Sequence, residues 1–432
     1  MKKFFFFAIV LLISCPSPGR DLVLSSVRGV KADGRTKVTV QLQKAVDEVS
    51  ASGGGRVILS GGVFLTAPFQ LKSGVELFID ADAVLLGSPD NDDYPDLADS
   101  RHVRTEDLPR WRNTALIYAD ETSHVSITGR GTIDCNGKNF VREKKDPDWT
   151  AWQYERNTGY EKSIPRAVFF AGCSDVTVRD ITMVNQPAGW SYWVHDCDRV
   201  IFDGCKIFAD VHYPNNDGIH INSSRDVTVS NCIIETGDDS IVLRANNRSL
   251  PENKACERVV VTNCVLRSWS SAIRIGWCND GVIRNCTLSN LVIYDSSNGI
   301  TCYLPDLTTY SNDYGREATL VENLSFSDIR MYEIYGVPIG LKVSDKPETL
   351  FAGFRNVRFT NIDCSSLEFP HFYGRAGVPV EVTFDGCTFV KCREADFPGD
   401  RRRHGYCVRI NPADAESVPA AVTYNNTNFI IK

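Results

Sequence analysis

Apolar and polar positions alternate in short runs along most of the chain, and one such run keeps returning. It consists of alternating apolar residues, then Asn, Asp or Gly, then often Cys, then more apolar residues. It occurs at Arg199–Ile207 and again at Val227–Ile234, Val259–Leu266 and Val282–Leu288. Val176–Ile181 is an earlier copy, and Leu324–Ile329, Val357–Ile362 and Val382–Cys387 are looser ones. The starts lie roughly 20 to 40 residues apart, several near 25, an interval that marks a solenoid. A period of two makes its elements strands. With no helical pattern between them, the strands predict an all-β, right-handed parallel β-helix. Like residues then stack on like from coil to coil. Cys205, Cys232, Cys264, Cys286 and Cys387 are expected at one repeated core position, and the Asn residues are expected to bond along the stack through their side-chain amides.

The N-terminal part breaks this rhythm. Thr36–Ser50 has apolar residues at helical spacing and is expected to form a helix that caps the open end of the solenoid. Gly53-Gly54-Gly55 then turns into Arg56–Ser60, the expected first strand. The glycine run lacks the Lys-Ser/Thr that a phosphate loop requires. Residues 89–114, 136–166 and 304–320 also interrupt the repeat. They carry Trp111, Trp149, Trp152, Tyr154, Tyr160, Tyr310 and Tyr314. Insertions in a solenoid gather on one face and build the binding site. Two roles stay open for these aromatics: stacking on sugar rings, or packing the insertions onto the coils.

Composition narrows the class. Of 432 residues, 43% are apolar, which excludes a mostly disordered chain. A net charge of −7 argues against nucleic acid as a partner but does not exclude an acidic polysaccharide, because local charge at a cleft outweighs the sum. The 15 cysteines include no CxxC pair and no zinc-site spacing. Most read as small buried apolar residues, with one or two disulfides still compatible. Met1-Lys2-Lys3 and the ten apolar residues Phe4–Ile13 are too short for a membrane span and suit an export signal over residues 1–20, leaving one catalytic domain over 21–432. Leu12–Cys15 resembles a lipobox, so a lipid anchor on Cys15 and an ordinary cleaved signal both stand. The expected location is periplasmic, cell-surface or secreted, and the expected state is a monomer without metal or cofactor.

The chemistry concentrates in two segments, Asn215–Ile221 and Gly237–Leu243. Asp217 and Asp238 are 21 residues apart, about one coil, and each precedes an alternating strand. Coils lie roughly 4.8 Å apart, so Asp217, Asp238 and Asp239 are expected to cluster. Clustered carboxylates suit glycoside hydrolysis, in which one acid protonates the leaving oxygen and another activates water. Asp-Gly and Gly-Asp-Asp are also ordinary turn sequences. Two such turns one coil apart shift the balance to chemistry. The same alternation points Ile219, Ile221, Ile241, Leu243, Ile273, Ile275, Ile300 and Cys302 inward. It points His220, Val242, Arg244, Arg274, Thr301 and Tyr303 outward beside the carboxylates.

These residues carry a resemblance to the family 28 glycoside hydrolases, the polygalacturonase group. Val30–Thr36 followed by a capping helix resembles that family's opening, and Gly237-Asp238-Asp239 resembles its Asp pair. Asn215-Asn216-Asp217 stands where the family usually has Asn-Thr-Asp. The resemblance covers most of residues 27 to 300. It implies that Asp238 is the general acid, that Asp217 and Asp239 hold the water, and that the anomeric configuration inverts. The chain departs from the family pattern twice. Ser270-Ser271-Ala272 replaces the family's Gly-His-Gly, so Ser271 takes the place of its His. Asn298–Tyr303 lacks both cations of its Arg-Ile-Lys. Arg244 and Arg274 are therefore candidates to bind a substrate carboxylate through two bonds each, or else to neutralise the aspartates. Asn216, His220, Ser271 and Tyr303 complete the expected substrate contacts. A calcium-dependent polysaccharide lyase with Arg274 as base and a non-catalytic carbohydrate-binding β-helix are the alternatives.

Overall fold

The computed structural model describes residues 19–104, 114–145, 153–157, 164–306, 315–397 and 421–432. Export-signal residues 1–18 with Cys15, the run Arg401–His404, and Trp111, Trp149, Trp152, Tyr160, Tyr310 and Tyr314 lie outside them.

The alternating runs form strands that wind into a right-handed parallel β-helix. One face is a ten-stranded parallel sheet whose strands follow chain order. From the N-terminal end these are Phe69–Gln70, Ala115–Asp120, Arg166–Ala171, Tyr192–His195, Ile219–Asn222, Ile241–Arg244, Ser271–Ile275, Asn298–Leu304, Ile339–Val343 and His371–Tyr373. The remaining faces run together as a 22-stranded sheet. Long strands such as Val282–Ser296 and Phe351–Ser366 pass through a corner without a break. The inward set fills one continuous core that includes Ile219, Ile221, Ile241, Leu243, Ile273, Ile275, Ile300 and Cys302. Aromatic rings stack within it from coil to coil, with Phe326, Phe359 and Phe384 at centroid spacings of 4.8 and 5.0 Å.

The corners explain the recurring Asn. Asn231, Asn263 and Asn290 have φ of 57°, 56° and 52°, a left-handed conformation that Asn tolerates better than most residues. Their amides bond along the stack, Asn263 Nδ2 to Asn231 Oδ1 at 3.3 Å and Asn290 Nδ2 to Asn263 Oδ1 at 2.7 Å. One detail differs from expectation. Cys264 stands opposite Leu291, whereas Cys286 stands opposite Leu324. A coil has more than one left-handed corner, and Asn285-Cys286 occupies a different one from Asn263-Cys264, with φ of 56° at Asn285. Both corners need the same local phrase, so the phrase alone does not reveal which corner it makes. All 13 cysteines among the described residues are free, and Cys392 is the one that is not buried. Burial pushes the thiol of Cys286 up to about 12, which leaves it a core residue and not a nucleophile.

The cap is the helix Thr39–Ala51, which turns Leu42, Ala45, Val46 and Val49 onto the first coil. Thr39 Oγ1 accepts from the Ala67 amide at 2.7 Å and ties the helix start to that coil. The first described strand is Arg20–Val23, not 56–60; it pairs in parallel with Gly55–Leu59. Leu22 is its single buried residue, too short an alternation to read in advance. Among the described residues no helix is long and apolar enough to cross a membrane.

Candidate active site

Asp217 ends the turn before strand Ile219–Asn222, and Asp238 and Asp239 end the turn before Ile241–Arg244. Those strands are paired neighbours. The backbone locks the two turns together, with the Gly218 amide donating to the Asp239 carbonyl at 2.9 Å. One oxygen of each aspartate lies within 4.8 Å of the others, and all three side chains are buried.

Two asparagines set this geometry. Asn216 is fully buried; its Oδ1 accepts from the Gly237 and Asp238 amides at 2.8 and 3.1 Å, and its Nδ2 donates to the Asp210 carbonyl at 2.6 Å. It is a bracket between the two turns. Asn215, at φ 53°, donates through Nδ2 to Asp238 Oδ2 at 3.2 Å. Its own Oδ1 accepts from the buried Arg156, which also reaches the Ala188 carbonyl at 3.3 Å. Arg156 comes from the 136–166 insertion, where Val141–Glu143 and Tyr154–Arg156 form an antiparallel hairpin. The insertion thus serves the site through Arg156, a role the aromatic-rich composition did not signal.

Both outward arginines form ion pairs inside the protein, and that of Arg274 is with an aspartate of the cluster, the second of the two roles left open for it. Arg274 donates from Nε to Asp239 Oδ2 at 3.0 Å and from Nη2 to Asp239 Oδ1 at 3.3 Å. The backbone amide of Ser271 adds a 2.9 Å bond to Asp239 Oδ1. Arg244 grips Asp280 through two bonds of 2.6 and 2.9 Å, with both side chains buried. Asp280 also accepts from the Trp277 amide at 3.1 Å, so this pair fixes the turn that carries Trp277. Ser271 points its hydroxyl at Thr301 Oγ1, 2.8 Å away, and is fully buried; its backbone amide links it to the site. His220 is also buried, with its ring 3.8 Å from the Trp190 ring in an edge-on contact.

Tyr303 is half-buried as expected of a cleft residue, and it has company that the sequence did not single out. Its ring lies 6.3 Å from that of Trp277, and Lys342 Nζ lies 5.8 Å from its centroid. Tyr303, Lys342 and Tyr373 occupy register-matched positions on successive strands. Extending the alternation one coil past Tyr303 would have found Lys342.

The middle outward column of the sheet changes character along its length. It runs Tyr118, Phe169, Trp193, His220, Val242, Arg274, Thr301, Gly340 and His371. Rings fill the N-terminal half, and beyond the carboxylates the column holds the smaller Val242, Thr301 and Gly340 with Arg274 among them.

The sequence profile of the Glycosyl hydrolases family 28 matches residues 102–400. The chain belongs to that family. Among curated relatives, a probable polygalacturonase of Vitis vinifera is 28% identical over 296 residues, covering 67% of this chain and 57% of the relative. An exo-poly-alpha-D-galacturonosidase of Dickeya chrysanthemi is 25% identical over 305 residues, covering 63% of this chain and 50% of the relative. The chain thus matches little more than half the length of these family 28 relatives. The solved exopolygalacturonase of Thermotoga maritima has the same fold, with a TM-score of 0.70 at 22% identity over 86% of this chain and 87% of its own.

Proposed function

We propose that this family 28 protein hydrolyses glycosidic bonds in a uronate-containing, pectin-type chain by an inverting acid/base mechanism. The observation that carries the reading is the cluster of three buried carboxylates, one of them paired with Arg274. Like charges this close disfavour full ionisation, so the cluster favours keeping a proton. Arg274 and the Ser271 amide hold both oxygens of Asp239 as hydrogen-bond acceptors. Asp238 then gives its proton to the glycosidic oxygen as the bond from the anomeric carbon breaks. Water attacks the same carbon from the opposite face, and its proton passes to the Asp217/Asp239 pair. Two-carboxylate inverting sites keep about 6.5–9.5 Å between acid and base. The third carboxylate alters that requirement in this cluster. One water bonded at about 2.8 Å to each of two oxygens spans the 4.8 Å within which these oxygens lie, so Asp217 and Asp239 hold it jointly.

Recognition of an acidic sugar falls to Lys342 beside the Tyr303 ring. An ammonium offers three donors to a carboxylate, and the ring gives a sugar face a surface to lie on. The lyase alternative fares worse. Calcium takes six to eight oxygens, whereas both oxygens of Asp239 already accept from Arg274, and an arginine paired with a carboxylate is a poor base. The protein is further proposed to act after export, through the signal-like segment 1–20, with Cys15→Ala and membrane fractionation testing the anchor.

The test is reducing-sugar release from polygalacturonate and a panel of acidic and neutral polysaccharides, wild type against Asp238→Asn. Release that the substitution abolishes supports the reading. Release of an unsaturated, ultraviolet-absorbing product that a chelator stops would favour the lyase. Binding without any cleavage would leave a carbohydrate-binding protein.

A further inference from the structure

We propose that the enzyme works from a chain end, because aromatic rings fill the cleft floor on one side of the carboxylates. This inference rests on the hydrolase reading above.

Outward side chains of a β-helix sheet ordinarily meet solvent, and large rings there would stand exposed. On the N-terminal side of Asp217 they are buried instead: Phe169 is 0%, Trp193 5% and Trp190 3% exposed. The rings interlock. Phe169 and Trp193 stack at 4.1 Å and 11°, and Trp190 stands edge-on to Trp193 at 5.3 Å. The guanidinium of Arg166 lies 3.8 Å from the Trp193 ring, a cation–π contact that seals the stack. Trp190 also meets His220, the neighbour of the Asp217 turn, so the plug reaches the catalytic coil itself.

The segment before residue 104 covers this plug. Val103 is fully buried in one cluster with Phe169, Trp190 and Trp193. His102 is bonded to Asp196, and Arg104 Nη2 donates to the Arg248 carbonyl at 3.1 Å, which pins the segment across several coils. Gly172, at φ 59°, permits the approach; a Cβ there would collide with the His102 ring. A glycan chain cannot pass through interlocked rings. Strands are spaced by roughly 4.8 Å, and Trp193 is one strand from His220. The plug therefore leaves the carboxylates room for a terminal unit and for no chain beyond it. On the other side the column continues through the smaller Val242, Thr301 and Gly340 around Arg274, and Tyr303 and Lys342 line a path for the rest of the substrate.

The experiment follows polygalacturonate viscosity and new reducing ends together on the wild-type protein, with product sizes read by chromatography from the first minutes. Chain-end action gives one small product size throughout, and viscosity that falls only in step with reducing ends. A bulky cap on one terminus of an oligogalacturonide stops hydrolysis, and a cap on the other terminus does not. In Trp190→Ala, checked for folding by its thermal transition, intermediate lengths begin to appear. An early viscosity collapse with products of mixed length, or cleavage of an oligomer capped at both ends, overturns the chain-end proposal and leaves the hydrolase intact. No new reducing ends from any substrate overturns both.

Discussion

The two halves of the ten-stranded sheet use the same backbone and the same register, yet the outward column of one is filled by interlocked rings and that of the other by smaller side chains around an arginine. On the N-terminal half the outward column holds Phe169, Trp193 and His220, locked by Arg166 and Trp190. On the C-terminal half the same column holds Val242, Arg274, Thr301 and Gly340, flanked by Trp277, Tyr303 and Lys342. The carboxylates stand at the step between them. What differs is only side-chain size and the partners of three cations. Arg166 joins the plug, Arg274 serves the chemistry and Arg244 builds the wall.

The largest effect that would break this picture concerns the wall. Arg244→Ala leaves Asp280 buried without its guanidinium, and removing one partner of such a pair costs about 3–5 kcal/mol. Urea unfolding should show that loss, and the intrinsic fluorescence of Trp277 should change with it. Next comes Arg274→Ala, which should lower kcat by roughly 100-fold with a much smaller change in KM, because the arginine orients Asp239 and does not hold substrate. A rise in KM alone would return Arg274 to the substrate-binding role. Lys342→Ala should raise KM on acidic oligomers by about tenfold, near the 1.5–3 kcal/mol of a hydrogen bond to a charged group, and leave kcat and neutral substrates untouched.

The smallest effects are in the acid limb of stability. His195, beside the stacked rings, and His371, at the far end of the column, are each lowered to about 4, first by burial and in His371 also by the charge of Lys342. Their folded values lie below the unfolded 6.5, so the unfolded chain binds more protons between those limits. Both contributions are complete above about pH 6.5 and are lost as the pH falls toward 4. In Lys342→Ala the His371 titration should move up by a few tenths of a unit while His195 stays in place, which histidine NMR can follow.

Much of this was legible in the chain. Strict alternation separated the core set from the outward set, and the 21-residue offset of Asp217 and Asp238 matched one coil. The corner Asn amides also bond as their recurrence suggested. Outward direction, however, does not mean open to ligand. Arg274 and Asp239 lie 35 positions apart, Arg244 and Asp280 36, and local periodicity carries no information on such pairings. Arg156 reaches Asn215 across 59 positions from within an insertion, where no repeat guides the eye. The phase of Cys286 was lost for the opposite reason, since two corners share one phrase.

The most direct test of the division of labour among the three aspartates is the proton NMR spectrum of the first sugar released from an oligogalacturonide, recorded before the anomers equilibrate. A water held by Asp217 and Asp239 and an acid at Asp238 predict the inverted anomer as the initial product. The retained anomer would mean that one of the carboxylates attacks carbon itself, and that Asp217 and Asp239 do not act by holding a water.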